Sequence, residues 1–304
     1  MDNINWAEFE RELQQNEESS NPIETAASSN EIAQTEESSS QSASIEVEEE
    51  QVEEVQVPVV EELKSRNNIN QGRYSGSSWF EPMKNIRVQL IGAGGIGSYT
   101  AYALCRTSIS ALNIIDCDKL EPVNLAGQFY PIDYVNTQKV NALRGLIHNF
   151  CGYSTSIVLD MSRIESHNVA SYVNGRWDVT ILALDNMKTR KTIYAQWRKK
   201  YAGCSNALFI DGRMSAEIFQ VFAIDGTDKE AMKKYEKEWL FDDAQAQSDV
   251  CSYKQTSFVG MMIGGYITSI VCNWVNNLSE NNMPRDIPFM TEFDSRFGVL
   301  SHEG

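Results

Sequence analysis

Basic residues are nearly absent from the first fifth of the chain. Residues 1–64 contain 18 acidic side chains and only two basic ones, Arg11 and Lys64, so the net charge of −16 resides there and the rest is electrically balanced. An electrically balanced body with an acidic tail argues against a nucleic-acid binder, which needs clustered Lys and Arg, and such a tail repels phosphate and anionic lipid alike. Nucleic-acid binding is therefore not expected. The first residues, Met1 to Trp6, lack a basic stretch and an apolar stretch, so they do not read as a secretory signal. Paired cysteines are also missing. Cys105, Cys117, Cys151, Cys204, Cys251 and Cys272 form no C-x-x-C, and none stands at zinc-ligand spacing from His148, His167 or His302. No structural zinc is expected. Cysteines in the apolar runs of a body this large point to a reducing, cytoplasmic compartment rather than to a disulfide framework. With three histidines in 304 residues, no Ser-His-Asp arrangement suggests itself, and His148, in an apolar helix, reads as core.

Charge is missing again from Gln255 to Ser279, where Gly260 and Gly264 form a G-x-x-x-G. About 20 mostly apolar residues could span a bilayer. This stretch carries Thr256, Ser257, Thr268, Ser269, Asn273, Asn276 and Asn277, and has no basic flank. It reads as a buried helix whose glycines permit close packing, not as a membrane segment.

What is present divides the chain in two. Residues 1–65 form an acidic, largely disordered tail, rich in Glu, Ser, Gln and Asn, that cannot bury enough apolar area to offset its conformational entropy. Within it, Trp6, Phe9 and Leu13 fall on one stripe of a short amphipathic helix at 2–16, a candidate docking peptide for a partner. Residues 66–304 form the folded body. There, strands and helices alternate. Strands are expected at 86–91, 111–116, 155–159, 178–183 and 207–211, and helices at 96–107, 139–150, 165–173 and 187–201. Repeated β-α-β units imply an α/β fold with a mostly parallel sheet covered on both faces. Residues 217–224 then suit an antiparallel addition, 229–239 a charged helix, and 289–293 a last short strand. Tyr235, Trp239, Leu240 and Phe241 read as core packing around that charged helix.

Gly92-Ala93-Gly94-Gly95-Ile96-Gly97 is a G-x-G-x-x-G directly after a strand and opening a helix. Its glycines allow a tight turn and close approach of backbone N–H groups to phosphate. Asp116 ends the second strand, where an acidic residue would hold ribose hydroxyls. A nicotinamide oxidoreductase and an ATP-using enzyme share these features. The residues that follow separate them: Asp116-Cys117-Asp118, then Asn124-Leu125-Ala126-Gly127-Gln128, then Lys139 at a helix start and Asp185-Asn186 after a strand.

Taken together, these motifs resemble the ubiquitin-activating superfamily typified by ThiF, MoeB and HesA. The stretch from Asp116 to Gln128 is similar to that family's D-x-D-x-V-x-x-x-N-L-x-R-Q signature, and the resemblance runs from about Arg73 to Cys272. It implies a Rossmann-like fold with a C-terminal antiparallel extension, usually dimeric. It also implies an ATP- and Mg²⁺-dependent adenylyltransferase. Such an enzyme activates the C-terminal carboxylate of a small ubiquitin-like or sulfur-carrier protein, or of a peptide, and releases pyrophosphate. By resemblance, Gly92, Gly94, Gly95 and Gly97 cradle the phosphates, Asp116 holds the ribose, and Asp118 is a further cofactor-binding residue. Asn124 and Gln128 order the loop around the phosphates, Lys139 contacts them, and Asp185, beside Asn186, holds Mg²⁺. Cys251 matches a position that in some members accepts the activated group; its alternative is a buried structural cysteine. The chain departs from the signature at Gly127, where the family has arginine, leaving Arg66, Arg73 and Arg106 as candidate replacements. Because of that departure, a non-catalytic nucleotide-binding adaptor that recruits partners through the acidic N-terminus is the alternative function.

Overall fold

The computed structural model describes residues 73–152, 154–242 and 255–304. The acidic tail, the 2–16 helix and Cys251 lie outside the described residues. The elements are α1 (Phe80–Met83), β1 (Arg87–Ile91), α2 (Gly97–Arg106), β2 (Ala111–Ile115), α3 (Lys139–Cys151), β3 (Ser156–Asp160) and α4 (Val169–Val173), then β4 (Val179–Leu182), α5 (Met187–Tyr201), β5 (Leu208–Ser215), β6 (Ile218–Asp225), α6 (Lys229–Lys234), α7 (Ser257–Asn277), β7 (Met290–Asp294) and β8 (Val299–Glu303).

All eight strands join one sheet in the order β3-β2-β1-β4-β5-β6-β7-β8. β3, β2, β1, β4 and β5 run parallel, and β5 to β8 run antiparallel. The expected mostly parallel sheet with an antiparallel extension is thus what the chain forms. Side-chain alternation along the strands builds two cores. Val88, Leu90, Ile181, Ile210 and Val221 pack on one face with α2, α3 and α7. Ile91, Leu182, Phe209 and Phe222 pack on the other face with Ile193, Tyr194 and Trp197 of α5. Each fully buried Leu or Ile contributes about 1.5–3 kcal/mol relative to exposure.

The uncharged stretch becomes α7, and it is a core helix: Val259, Ile263, Ile267, Val271 and Trp274 are buried. It is also the one helix among the described residues that is long and apolar enough to cross a membrane. Its glycines bring it onto α2. A Cβ added to Gly260 would stand 2.8 Å from the Gly95 carbonyl oxygen, and one added to Gly264 would stand 2.8 Å from Tyr99 Cβ.

Several expectations needed correction. The helix expected at 165–173 is shorter, α4, because Asn168 turns its side chain back to accept the Glu165 N–H. The charged helix is α only to Lys234 and continues to Trp239 as a wider π-type turn. The strand expected to end at 211 runs on as β5 to Ser215, into a hairpin with β6. β8 was not anticipated; Val-Leu-Ser-His-Glu carries little apolar patterning and gains its structure by pairing with β7. His148 is half-buried rather than core, and burial pulls its imidazole below the usual histidine range, with Arg144 adding to the effect. Cys105, Cys151 and Cys272 are buried as expected, while Cys204 is only half-buried.

Candidate active site

Strand order reverses direction between β1 and β4, and doubly wound sheets bind ligands in the crevice that this reversal opens at the carboxyl ends of the strands. Gly92 to Gly97 connect β1 to α2 at that place. Two backbone demands fix the turn. Gly92 has φ of +100°, and a Cβ added to it would stand 2.2 Å from the Ala183 carbonyl oxygen. A Cβ on Gly97 would stand 1.9 Å from the Gly92 oxygen. Only glycine fits at either position. α2 starts at Gly97 with no side-chain cap at Ile96. The Ser98 and Thr100 N–H groups donate to the Gly94 and Ile96 carbonyls, each at 3.0 Å, and the positive end of the helix above them suits an anion.

Asp116, just past β2, takes the Ala93 N–H on Oδ2 at 2.7 Å and the Asp118 N–H on Oδ1 at 2.8 Å. It thereby ties the glycine loop to the following segment. Burial raises the Asp116 carboxyl above the usual range, opposed by these two N–H groups and by Lys139. Lys139 is the first residue of α3, and its backbone N–H donates to the Asp118 carbonyl at 3.0 Å. Its side chain is 9% exposed and its ammonium lies 3.3 Å from Asp118 Oδ2, a carboxylate that is 57% exposed. A cation at a helix N-terminus opposes the helix dipole, so the placement is locally unfavourable.

The segment 122–130 closes one side. Asn124 Oδ1 accepts the Glu121 N–H at 2.9 Å, which caps a short 3₁₀ turn, Pro122–Ala126. The structure thus gives Asn124 a loop-ordering bond. Ser98 Oγ accepts the Phe129 N–H at 3.0 Å, and the Tyr130 hydroxyl donates to the Ala93 carbonyl at 2.6 Å. Gln128 is buried, its Nε2 lies 3.7 Å from where a Cβ on Gly94 would be, and its Oε1 has no partner among the described residues. A buried orphan acceptor is uncommon.

Asp185 is exposed, three residues past β4, and Ala183, two residues before it, donates its N–H to the Ile91 carbonyl at 2.8 Å, beside Gly92. The cap of α5 is Asn186, whose Oδ1 accepts the Thr189 N–H at 2.9 Å, so Asp185 is not consumed by capping. Beneath this turn lies a network that the sequence did not disclose. Arg190 of α5 is fully buried, donates to the Leu184 carbonyl and, at 3.2 Å, to the Gly212 carbonyl, and pairs with Asp211. Asp211, also fully buried, takes Arg213 Nε at 2.8 Å and the Tyr235 hydroxyl at 2.7 Å. Burial lowers the Arg190 guanidinium to about 9 and Arg213 adds to that, opposed by Tyr235 and Asp185, so it stays charged at neutral pH. The only sequence signal for Arg190 was its spacing one helical turn after Asn186.

The structure therefore brings Gly92, Gly94, Gly95, Gly97, Asp116, Asp118, Gln128 and Lys139 into one neighbourhood, with Asp185 and Asn186 at the adjoining strand end. Cys251 cannot be placed. Of the arginines considered for the role lost at Gly127, Arg106 lies at the far end of α2, donating to the Phe150 carbonyl at 2.9 Å. Arg66 falls outside the described residues.

The model of the ThiF family matches residues 67–300, which is most of the chain. The chain belongs to the ThiF family. Among its relatives is tRNA threonylcarbamoyladenosine dehydratase of Haemophilus influenzae, 29% identical over 121 residues, covering 38% of this chain and 45% of that protein. Another is ubiquitin-like modifier-activating enzyme 5 of Caenorhabditis briggsae, 28% identical over 127 residues, covering 38% of this chain and 28% of that protein. The chain thus spans less than half the length of these relatives. Among solved structures, E. coli MccB with ATP superposes with a TM-score of 0.59 at 15% identity, covering 80% of this chain and 71% of that one. That likeness shows a shared ThiF fold.

Proposed function

We propose that this ThiF-family protein is an ATP-dependent adenylyltransferase that activates the C-terminal carboxylate of a small ubiquitin-like or sulfur-carrier protein, or of a peptide. The observation that carries this reading is the convergence, at the switch point of the sheet, of an uncapped helix start, the buried Lys139 and the exposed Asp185. The reading draws further support from a fold neighbour that binds ATP and a relative named for activating a ubiquitin-like modifier.

In this reading the glycine loop and the start of α2 hold the phosphates through backbone N–H groups, and Asp116 holds the ribose. The incoming carboxylate oxygen attacks the α-phosphorus. A bond forms there, the bond to the bridging oxygen breaks, and pyrophosphate leaves with that electron pair. Lys139 neutralises charge gathered on the phosphoryl oxygens, so the protein contributes positioning and electrostatics rather than covalent chemistry. Mg²⁺ ordinarily takes one or two protein carboxylates and completes its shell with water and substrate phosphates. A single exposed carboxylate such as Asp185, whose Oδ1 accepts only a long 3.4 Å bond from Asn186 Nδ2, fits that pattern, and the ion would supply further charge neutralisation. Cys251 remains a proposed acceptor of the activated group. A homodimer is proposed as well; Phe258, Met261 and Met262 form an exposed apolar stripe on α7 that suits a self-contact. The 2–16 segment is proposed to dock on a partner. The free thiols in the described residues suit a reducing, cytoplasmic setting.

Exchange of labelled pyrophosphate into ATP, driven by carriers with exposed C-terminal tails, tests the reading. The account predicts exchange that Lys139→Ala and Asp185→Ala each lower by about 10²–10³. The absence of arginine at Gly127 favours one rival, a nucleotide-binding adaptor, which predicts ATP binding with no exchange for any carrier.

A further inference from the structure

Position 127 is glycine for want of space, not for want of backbone freedom. Gly127 has φ of −121°, which any residue adopts. A Cβ added there would stand 2.9 Å from Gln255 Cβ and 3.4 Å from Gln255 Oε1. The same Gln255 reaches the phosphate loop: its Oε1 lies 2.7 Å from where a Cβ on Gly95 would be, and Met214 Cε 3.0 Å. Two separate glycines thus accommodate one glutamine.

The backbone of Gln255 is anchored on both sides. It forms a parallel bridge to Ala216, and the next residue, Thr256, donates its hydroxyl to the Ala216 carbonyl at 2.9 Å before α7 begins. The side chain is exposed, so its amide is open to a ligand. Gln128 meets the loop at the next glycine, Gly94, with a buried orphan oxygen. Two primary amides therefore border the glycine loop, each carrying two N–H donors and a carbonyl acceptor.

We propose that Gln255 is a nucleotide-contacting residue: its amide donates to the phosphates held by Gly92–Gly97, and Gly127 is the clearance that lets it do so. This rests on the nucleotide reading above and adds a ligand from the segment leading into α7. The pair replaces a long cationic side chain at 127 by a neutral donor arriving from a different part of the chain. An amide bond to an ionised phosphate is charge-assisted, but the neutral donor cancels none of the phosphate's charge.

The test is titration of the full-length chain with Mg²⁺-ATP and, separately, with adenosine. Gln255→Ala is expected to weaken ATP binding roughly tenfold, the worth of one hydrogen bond to a charged group. Gln255→Glu, which turns a donor into a carboxylate facing phosphate, is expected to weaken it further. Adenosine affinity is expected to stay within about twofold in both variants, since adenosine carries no phosphate. Gly127→Arg alone is expected to lose ATP binding through collision with Gln255, whose Cβ would stand 2.9 Å from the new Cβ, and Gly127→Arg combined with Gln255→Gly, which removes that Cβ, to recover it. Equal ATP affinity in wild type and Gln255→Glu overturns the proposal while leaving the nucleotide reading intact. Parallel losses for ATP and adenosine also overturn it, because they mark a merely structural residue. A wild-type chain that binds neither ligand overturns the nucleotide reading and this inference with it.

Discussion

Lys139 concentrates the chemical argument at the residue scale. A lysine that is buried, first in its helix and paired to one exposed carboxylate is placed against its own local preferences. Losing one donor to a developing phosphoryl charge typically costs 10²–10³ in rate. Lys139→Ala is accordingly expected to lower kcat for pyrophosphate exchange by about 10²–10³ with little change in the urea midpoint. Asp211 is the structural counterpart. It is fully buried between Arg190 and Arg213, and removing it leaves two guanidinium groups uncompensated. Asp211→Ala is expected to cost about 3–5 kcal/mol in urea unfolding. Asp116 carries a pH signature. Its folded-state carboxyl is raised by burial, so in the window just above the ordinary carboxylate value of about 3.9 the folded chain holds more protons than the unfolded one. Stability from this group is full below that value and is lost as pH rises through the folded-state value. Asp116→Asn, measured by thermal melting, is expected to gain on wild type as pH rises above the ordinary carboxylate value; a difference that does not vary with pH contradicts the assignment. Glycines, Asp116, Lys139 and Asp185 were legible in the sequence because each follows a strand or opens a helix in a recognisable place. Arg190 and Gln255 were not, because no local pattern tells which distant carbonyl or glycine a side chain will meet.

Among the elements, α7 shows how composition and packing divide the work. Its lack of charge and its G-x-x-x-G foretold a buried helix, but not that Gly260 would rest on Gly95, within the phosphate loop itself. That contact links helix packing to ligand binding. Gly260→Ala forces α7 away from the loop and is expected to cost about 1–3 kcal/mol and to weaken ATP binding. Gly265, on the same helix, has nothing within 4 Å of an added Cβ. Gly265→Ala is expected to stabilise the chain by about 0.5–1 kcal/mol through helix propensity, with ATP affinity unchanged. Urea titrations with and without nucleotide distinguish the two. The elements that escaped the sequence reading are those whose formation depends on partners. β8 exists because β7 offers it an edge, and the turn after Lys234 widens where Tyr235 enters the second core.

For the whole molecule, the alternation of strands and helices was enough to give the doubly wound sheet, whereas the position of the switch point between β1 and β4 required the strand order. Burial of the sheet's two faces also decides which thiols react. Cys151 is pushed up to about 11 and Cys272 to about 12 by burial, and Cys105 is raised further. Alkylation of the native chain at about pH 8 is expected to spare all three, and unfolding to expose them. The central claim is that the crevice at the switch point holds a triphosphate. A crystal structure of the chain grown with a non-hydrolysable ATP analogue and Mg²⁺ tests it most directly. The account predicts the phosphates on the Gly94–Gly97 amides, since the Gly92 and Ala93 N–H groups donate to Ile115 and Asp116, with Lys139 turned to them and the metal beside Asp185; a nucleotide bound elsewhere, or that crevice left empty at saturating ligand, would contradict it.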